Sequence, residues 1–212
     1  MVQTEDGRKY KSGIIVFASG VTDNLLDIKG LQELWGQAVF HCPYCHGWES
    51  RGKRAVVIGN GDSAIRLAST LSHWNPDLTY YTQGLPVDLS DSQVMQLDKL
   101  GIELQQKKVV EVQLADSGVL VYVDGFEEPI HFETCYAPSS ITANSTLAEG
   151  LGCELSLYRS ISVDEWYKSS VDGVYAIGDV SSRANGQVIH AAYSGAIVAA
   201  SINNVLLAQR FS

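Results

Sequence analysis

The sequence has few cysteines, little positive charge and no long apolar run. Four cysteines, Cys42, Cys45, Cys135 and Cys153, in 212 residues are too sparse for a secreted disulfide scaffold. Lys and Arg number 15 against 24 Asp and Glu, a formal charge of −9. That balance argues against nucleic acid or an anionic membrane surface as the main partner, and by itself it names no substrate. No unbroken run of roughly 18 apolar residues is present, so no membrane span is expected. The first residues, MVQTEDGRKYKSG, are polar and mixed in charge and lack the apolar centre of a secretory signal. A cytoplasmic protein is therefore expected. No internal repeat or charge block interrupts the chain, and its length allows one large domain or two small ones.

What is present alternates between strand and helix patterns, which predicts an α/β fold of Rossmann-like, three-layer type. Residues 13–18 and 54–58 read as buried strands, and 62–74 as a helix with Ala64, Ile65, Ala68 and Leu71 on its apolar face. Residues 78–82 follow as a strand. Ser90 and Gln93 form a capping box for a helix through Leu100, stopped by Gly101. Residues 102–105, 109–114, 119–123 and 130–134 are short, alternating and punctuated by turns, and predict an antiparallel meander. Residues 173–177 are a buried strand. Residues 188–208 form a helix apolar almost all round, expected to be buried on most sides.

Gly59-Asn60-Gly61-Asp62-Ser63-Ala64 fits G-x-G-x-x-A between a strand and a helix. Gly59 would permit a tight turn and Gly61 the approach of a pyrophosphate. Ala64 would let the helix pack close to the strand. The residue that reads the ribose should stand about 20 positions further on. Tyr80-Tyr81-Thr82-Gln83-Gly84 offers neither a carboxylate nor a basic cluster there, and Asp88 lies too far along. A Rossmann-shaped domain without its nicotinamide cofactor stays open beside a cofactor-binding one.

His41-Cys42-Pro43-Tyr44-Cys45-His46-Gly47 carries the most chemistry. Two thiols three positions apart can close a small disulfide and trade it with a partner through thiolate attack. His46 can carry the proton near neutral pH. C-x-x-C-H is also a c-type haem attachment pattern, which would need export and usually a helical fold. The pair could also be half of a zinc site, but a structural site needs four ligands, and Cys135 and Cys153 form no second close pair; no metal is expected. Two buried cysteines without chemistry are the remaining alternative.

Taken in order, four segments resemble the thioredoxin reductase family across nearly the whole chain. Phe17-Ala18-Ser19-Gly20-Val21 resembles its A-T-G segment. The C-x-x-C shortly precedes the G-x-G-x-x-A turn. Gly173-Val174-Tyr175-Ala176-Ile177-Gly178-Asp179 is close to G-v-[FY]-A-x-G-D, and Gln187-Val188 falls where R-Q-[AV] opens the last helix. The resemblance implies FAD, with Gly178 and Asp179 at the ribityl chain. It places Gln187, Val188 and the helix N-terminus at the pyrimidine end, where reduced flavin is anionic. It implies Cys45 against the flavin, Cys42 exchanging with substrate, and His46 where typical members have an acidic aspartate.

The departures are specific. Residues 42–49, CPYCHGWE, and the stretch 147–155 resemble the dithiol oxidases of the gliotoxin and holomycin type more than ordinary members. The H-R-R phosphate motif is absent after 78–82, and Gly186 replaces the arginine before Gln187. NADPH is therefore doubtful. Thioredoxin reductases that draw electrons from a ferredoxin-type donor are a further resemblance. A thioredoxin-like protein or a small dithiol is the implied substrate, with a homodimer possible.

A dinucleotide βαβ unit takes roughly 30 residues, and 12 precede the strand at 13–18. The family's first G-x-G-x-x-G is thus missing and the flavin site is expected to be half built, leaving either a truncated chain or a non-catalytic subunit that binds a partner lobe. Exposed apolar surface and self-association are expected with it. The expected domains are 24–136, the NAD(P)-binding-like part with the disulfide, and 1–23 with 137–212, the partial FAD part. Cys135 and Cys153 read as core residues. His190 reads as a packed histidine or a second proton carrier. Trp35, Tyr44 and Trp48 read as core filling, and Arg51, Lys53 and Arg54 as local positive charge near the thiols.

Overall fold

The structure is a computed structural model describing residues 1–84, 91–184 and 186–211. Ser90 and Asp88 lie outside the described residues. The chain divides into two units, Leu25–Ser140 and Met1–Asn24 with Ile141–Ser212.

In the first unit, five parallel strands lie in the order Val39–Phe40, Thr134–Tyr136, Ala55–Ile58, Leu78–Tyr81, Ile102–Gln105. Successive side chains of a strand point to opposite faces. Ala55 and Val57 pack with Ala64, Ile65, Leu67, Ala68 and Leu71 of the helix Gly61–Leu71. Val56 and Ile58 instead join Val112, Val119, Val121 and Phe132. The unit therefore has three layers: helix, parallel sheet, antiparallel meander. Such a sheet, covered on both faces, needs nearly continuous apolar strands, and AVVI is one.

The meander is smaller than the sequence pattern predicts. It holds Val109–Leu114, Val119–Val123 and Ile130–Phe132. Ile102–Gln105 joins the parallel sheet, pairing Leu78 with Ile102. The helix Asp91–Lys99 before it returns the chain to the same end of the sheet, so this strand runs parallel to its neighbour. Thr134–Tyr136 enters the same sheet from the other side, pairing Cys135 with Val56.

Burial in this core pushes the Tyr80 phenol up to about 12 and raises Tyr81 and Tyr136 as well. Unfolded, each phenol ionises near 10. Their folded pKa values are raised, so the stability they contribute is whole below about pH 10 and is lost as pH climbs towards about 12. Alkaline titration is expected to show tyrosinate absorbance rising together with loss of far-ultraviolet circular dichroism. Ionisation of every tyrosine without unfolding would contradict this.

The second unit is built more thinly. Ile15–Phe17 pairs in parallel with Val174–Ala176, Ile15 opposite Val174. Val21–Asn24 pairs with Ser140–Ala143. Ala143, Ala148, Cys153, Ile161, Val174, Ala176 and Val180 form its core. The strand expected to be buried at 13–18 is half exposed, because its sheet has two strands and leaves one side uncovered.

The last helix, Val188–Phe211, departs furthest from expectation. Among its described side chains Ser194 and Val198 are buried, while Val188, Ile189, Tyr193, Leu206 and Leu207 are exposed. Its 24 residues span about 36 Å, and a two-stranded sheet with a small cluster around Tyr167 and Tyr175 covers one strip of it. It is the one helix among the described residues long and apolar enough to cross a membrane, by length and composition. It contains no long unbroken apolar run because His190, Ser194, Asn203 and Asn204 interrupt the pattern without charging it. Contiguous apolar surface of this kind binds dyes and other apolar faces. The chain is expected to enhance anilinonaphthalene sulfonate fluorescence and to self-associate, with Ile189→Lys plus Leu206→Lys reducing both. Sedimentation showing a monomer without dye binding would contradict it.

Candidate redox site

The five parallel strands deliver their carboxyl ends to one edge of the first unit. In such sheets ligands bind outside that edge, where strand order reverses. Here three loops matter: His41-Cys42 after Val39–Phe40, Asn60-Gly61 after Ala55–Ile58, and Ala137-Pro138 after Thr134–Tyr136.

Cys42 caps a single helical turn, Pro43–His46, with Pro43 at its first position. One turn of helix brings positions three apart together, and Cys42 and Cys45 form a disulfide with Cα atoms 5.3 Å apart. Cys42 is 9% exposed, whereas Cys45 is open. His46 stacks on Phe40 at 4.1 Å between ring centroids. Its Nδ1 is buried without a hydrogen-bond partner. The chain leaving this turn is pinned from behind. Asn75 Nδ2 donates to the carbonyls of Ser50, at 2.6 Å, and Lys53, at 3.0 Å. Ser50 Oγ and Tyr136 OH share a 2.8 Å hydrogen bond.

Two clefts flank the turn. One, of about 350 Å³, is lined by His41 and Pro43, the chain neighbours of Cys42, with Tyr44, Ser63, Arg66 and Pro138. The other, of about 420 Å³, holds Phe40, His46, Glu49, Lys53, Asp116 and Glu133. Tyr44 and Trp48 are 76% and 64% exposed rather than core filling. Trp48 carries the Arg51 guanidinium over its ring at 3.9 Å. Trp35 stacks on His41 at 5.6 Å. The basic residues disperse: Arg54 pairs with Asp77 at 3.5 Å, and Lys53 alone of the three lines a cleft beside His46.

In the glycine turn, Gly61 has φ of +75°, so the left-handed kink falls there. Asn60 Oδ1 accepts from Gly61 N at 2.7 Å and caps the helix. Gly59 serves packing: a Cβ there would sit 2.8 Å from the Pro138 ring and 3.2 Å from Ala64. Ala64 is fully buried, as close helix–strand packing requires. Space around Gly61 is open, with no heavy atom within 4 Å of a built Cβ. The ribose-reading position is differently used. The Gln83 amide donates to Val109 O at 3.2 Å and accepts from Val109 N at 2.8 Å. That two-point clamp ties the side chain to the meander.

In the second unit, Gly178–Val180 forms a tight turn after Val174–Ala176. Gly178 N donates to Ser194 Oγ at 3.1 Å, which fixes the turn to the long helix. Asp179 Oδ1 is buried with no hydrogen-bond partner. An orphaned acceptor fits a group that brings hydroxyl donors, as the flavin ribityl chain does. Gln187 begins the helix by accepting from the backbone N–H groups of His190 and Ala191, and Val188 stands exposed beside it. His190 shares a 2.9 Å hydrogen bond with Tyr167 OH, and its Nδ1 is buried without a partner. Cys153 is buried, within 3.6 Å of Ser169 Oγ, and Cys135 is fully buried with its thiol pushed far up by desolvation. No cluster able to hold a metal ion occurs among the described residues.

The family model for pyridine nucleotide-disulphide oxidoreductases matches residues 1–196. A thioredoxin reductase of Claviceps purpurea, tcpT, is 31% identical over 97% of this chain and 64% of its own. The thioredoxin reductase sirT of Leptosphaeria maculans is 25% identical over 96% of this chain and 66% of its own. The chain thus spans about two thirds of these relatives' length. The crystal structure of HlmI superposes with a TM-score of 0.82 at 30% identity, over 92% of this chain and 61% of that one. The chain belongs to the pyridine nucleotide-disulphide oxidoreductase family, among its thioredoxin reductase-like members.

Proposed function

We propose that the chain carries the redox centre of a flavin-dependent thiol–disulfide oxidoreductase, with Cys42–Cys45 exchanging with a dithiol or disulfide substrate. The observation that carries this reading is the closed disulfide at the carboxyl edge of the sheet, followed at once by His46. A substrate thiolate attacks Cys42 Sγ, the Cys42–Cys45 bond breaks, and Cys45 leaves as a thiolate. The second substrate thiolate attacks the substrate sulfur of the mixed disulfide and releases Cys42. The substrate becomes a disulfide, two electrons rest on the cysteine pair, and His46 takes up a proton. FAD, when bound, exchanges that electron pair with the cysteines. Asp179, Gly178, Gln187 and Val188 would hold it.

The direction of flow is favoured by Gln83. Its side chain, at the place where dinucleotide folds read the ribose, is spent on Val109 instead. That supports dithiol oxidation, with oxygen as final acceptor, over reduction of a thioredoxin-like protein by NADPH. A reducing compartment such as the cytoplasm suits a pair that must cycle. The test is to incubate the chain with FAD, dialyse, and add a dithiol without oxygen. Retained flavin whose visible band bleaches in the parent chain, but not in Cys45→Ser, is expected. Failure to retain flavin, or a flavin indifferent to a reduced cysteine pair, would falsify the reading.

A further inference from the structure

The 350 Å³ cleft beside Cys42 reaches the lower size range of small-ligand sites. It lies between the turn after Val39–Phe40, the loop after Thr134–Tyr136 and the face of the helix Gly61–Leu71 that carries Ser63, Arg66 and Thr70. His41 and Pro43, the chain neighbours of Cys42, line it, while Cys42 itself lies behind them, 9% exposed.

Arg66 lines the same cleft from the second turn of the helix Gly61–Leu71. Its guanidinium makes no ion pair, hydrogen bond or ring contact among the described residues. Arg8, Arg54 and Arg159 each meet a carboxylate, Arg51 and Arg183 each cover an aromatic ring, and Arg210, in the other unit, is the one other arginine among the described residues without such a partner. Asp62, one turn earlier on the same helix, does not pair with it, although that spacing allows it. In a chain of net charge −9, an arginine left without a carboxylate beside a redox disulfide is a ready reader of an anion. Ser63 adds a hydroxyl to the same wall, while the Thr70 hydroxyl donates to the Arg66 carbonyl at 2.7 Å.

We propose that Arg66 selects the substrate of this disulfide, a small dithiol or disulfide bearing a carboxylate, seated in the cleft beside the turn that carries Cys42. The inference rests on Cys42–Cys45 being the exchanging pair. A charge-assisted hydrogen bond to the guanidinium favours the anionic substrate over a neutral one of the same shape by about tenfold. Dihydrolipoate and dihydrolipoamide are such a matched pair. Each is mixed with the oxidised 212-residue chain, and opening of the pair is followed by alkylation and mass. No flavin or acceptor is needed, because each dithiol closes to its disulfide as the cysteine pair is reduced.

The carboxylate form is expected to react about tenfold faster. The ratio should fall towards one in Arg66→Gln and recover in part in Arg66→Lys. Equal rates in the parent chain, or a ratio unmoved by Arg66→Gln, would overturn the proposal while leaving the exchanging pair intact. So would reduced thioredoxin outpacing both small dithiols with no dependence on residue 66, which would point to a protein substrate. Opening of the pair by none of the three would remove the redox reading itself, and the inference with it.

Discussion

Cys42→Ser is expected to lower the rate of exchange with a dithiol by about a thousandfold or more. The step breaks and forms bonds at Cys42 Sγ, and neither Cys135 nor Cys153 can replace it. Neither stands in a C-x-x-C pair or in a disulfide, and full burial holds the Cys135 thiol far above its ordinary range. Cys45→Ser is expected to behave differently. Cys42 then has no resolving partner, so a mixed disulfide between Cys42 and a substrate disulfide accumulates and is visible by mass. The two variants separate attack from resolution. Exchange at the parent rate in Cys42→Ser would show that the reacting sulfur lies elsewhere.

Gly59→Val is expected to carry the largest cost in stability. Its Cβ would stand 2.8 Å from both Cγ and Cδ of Pro138, in a ring that cannot rotate away, and 3.2 Å from Ala64. Relief requires separating the strand Ala55–Ile58, the helix Gly61–Leu71 and the loop at Pro138, the last two of which line the cleft beside the Cys42 turn. Overpacking of this kind costs about 3 kcal/mol, and the branched valine adds to it. Gly61→Ala has free space and meets the left-handed backbone alone, at about 1 kcal/mol. Urea denaturation of both variants checks the order. A Gly59→Val loss smaller than that of Gly61→Ala would mean that the two roles are reversed.

Those roles show what the sequence could and could not convey. The pattern G-x-G-x-x-A locates the turn, since strand, glycines and helix are adjacent in the chain. It assigns the tight turn to Gly59, whereas the left-handed kink falls at Gly61 and Gly59 serves packing, because Pro138 arrives from a segment nearly eighty residues away. The helix Gly61–Leu71 and the strands Ala55–Ile58 and Leu78–Tyr81 were legible from local periodicity. Ile102–Gln105 was not: alternation identifies a strand and leaves its direction to the connection before it. Val188–Phe211 is more exposed than its sequence predicts because apolar composition states what a helix can bury, not what is there to cover it. The disulfide was legible from spacing. The Gln83 clamp, the exposed Tyr44 and Trp48, and the unpaired Arg66 were not, since each depends on residues distant in the chain.

The central claim is that Cys42–Cys45 is the redox centre of this chain. The most direct test counts alkylatable thiols in the native protein across a graded dithiol–disulfide buffer, with the modified residues located by peptide mass. The account predicts that the thiols of Cys42 and Cys45 appear together at one midpoint and close again on oxidation. Cys135 and Cys153 should stay unmodified until the chain is unfolded. A pair that resists reduction in the native state, or labelling that begins at Cys135 or Cys153, would contradict it.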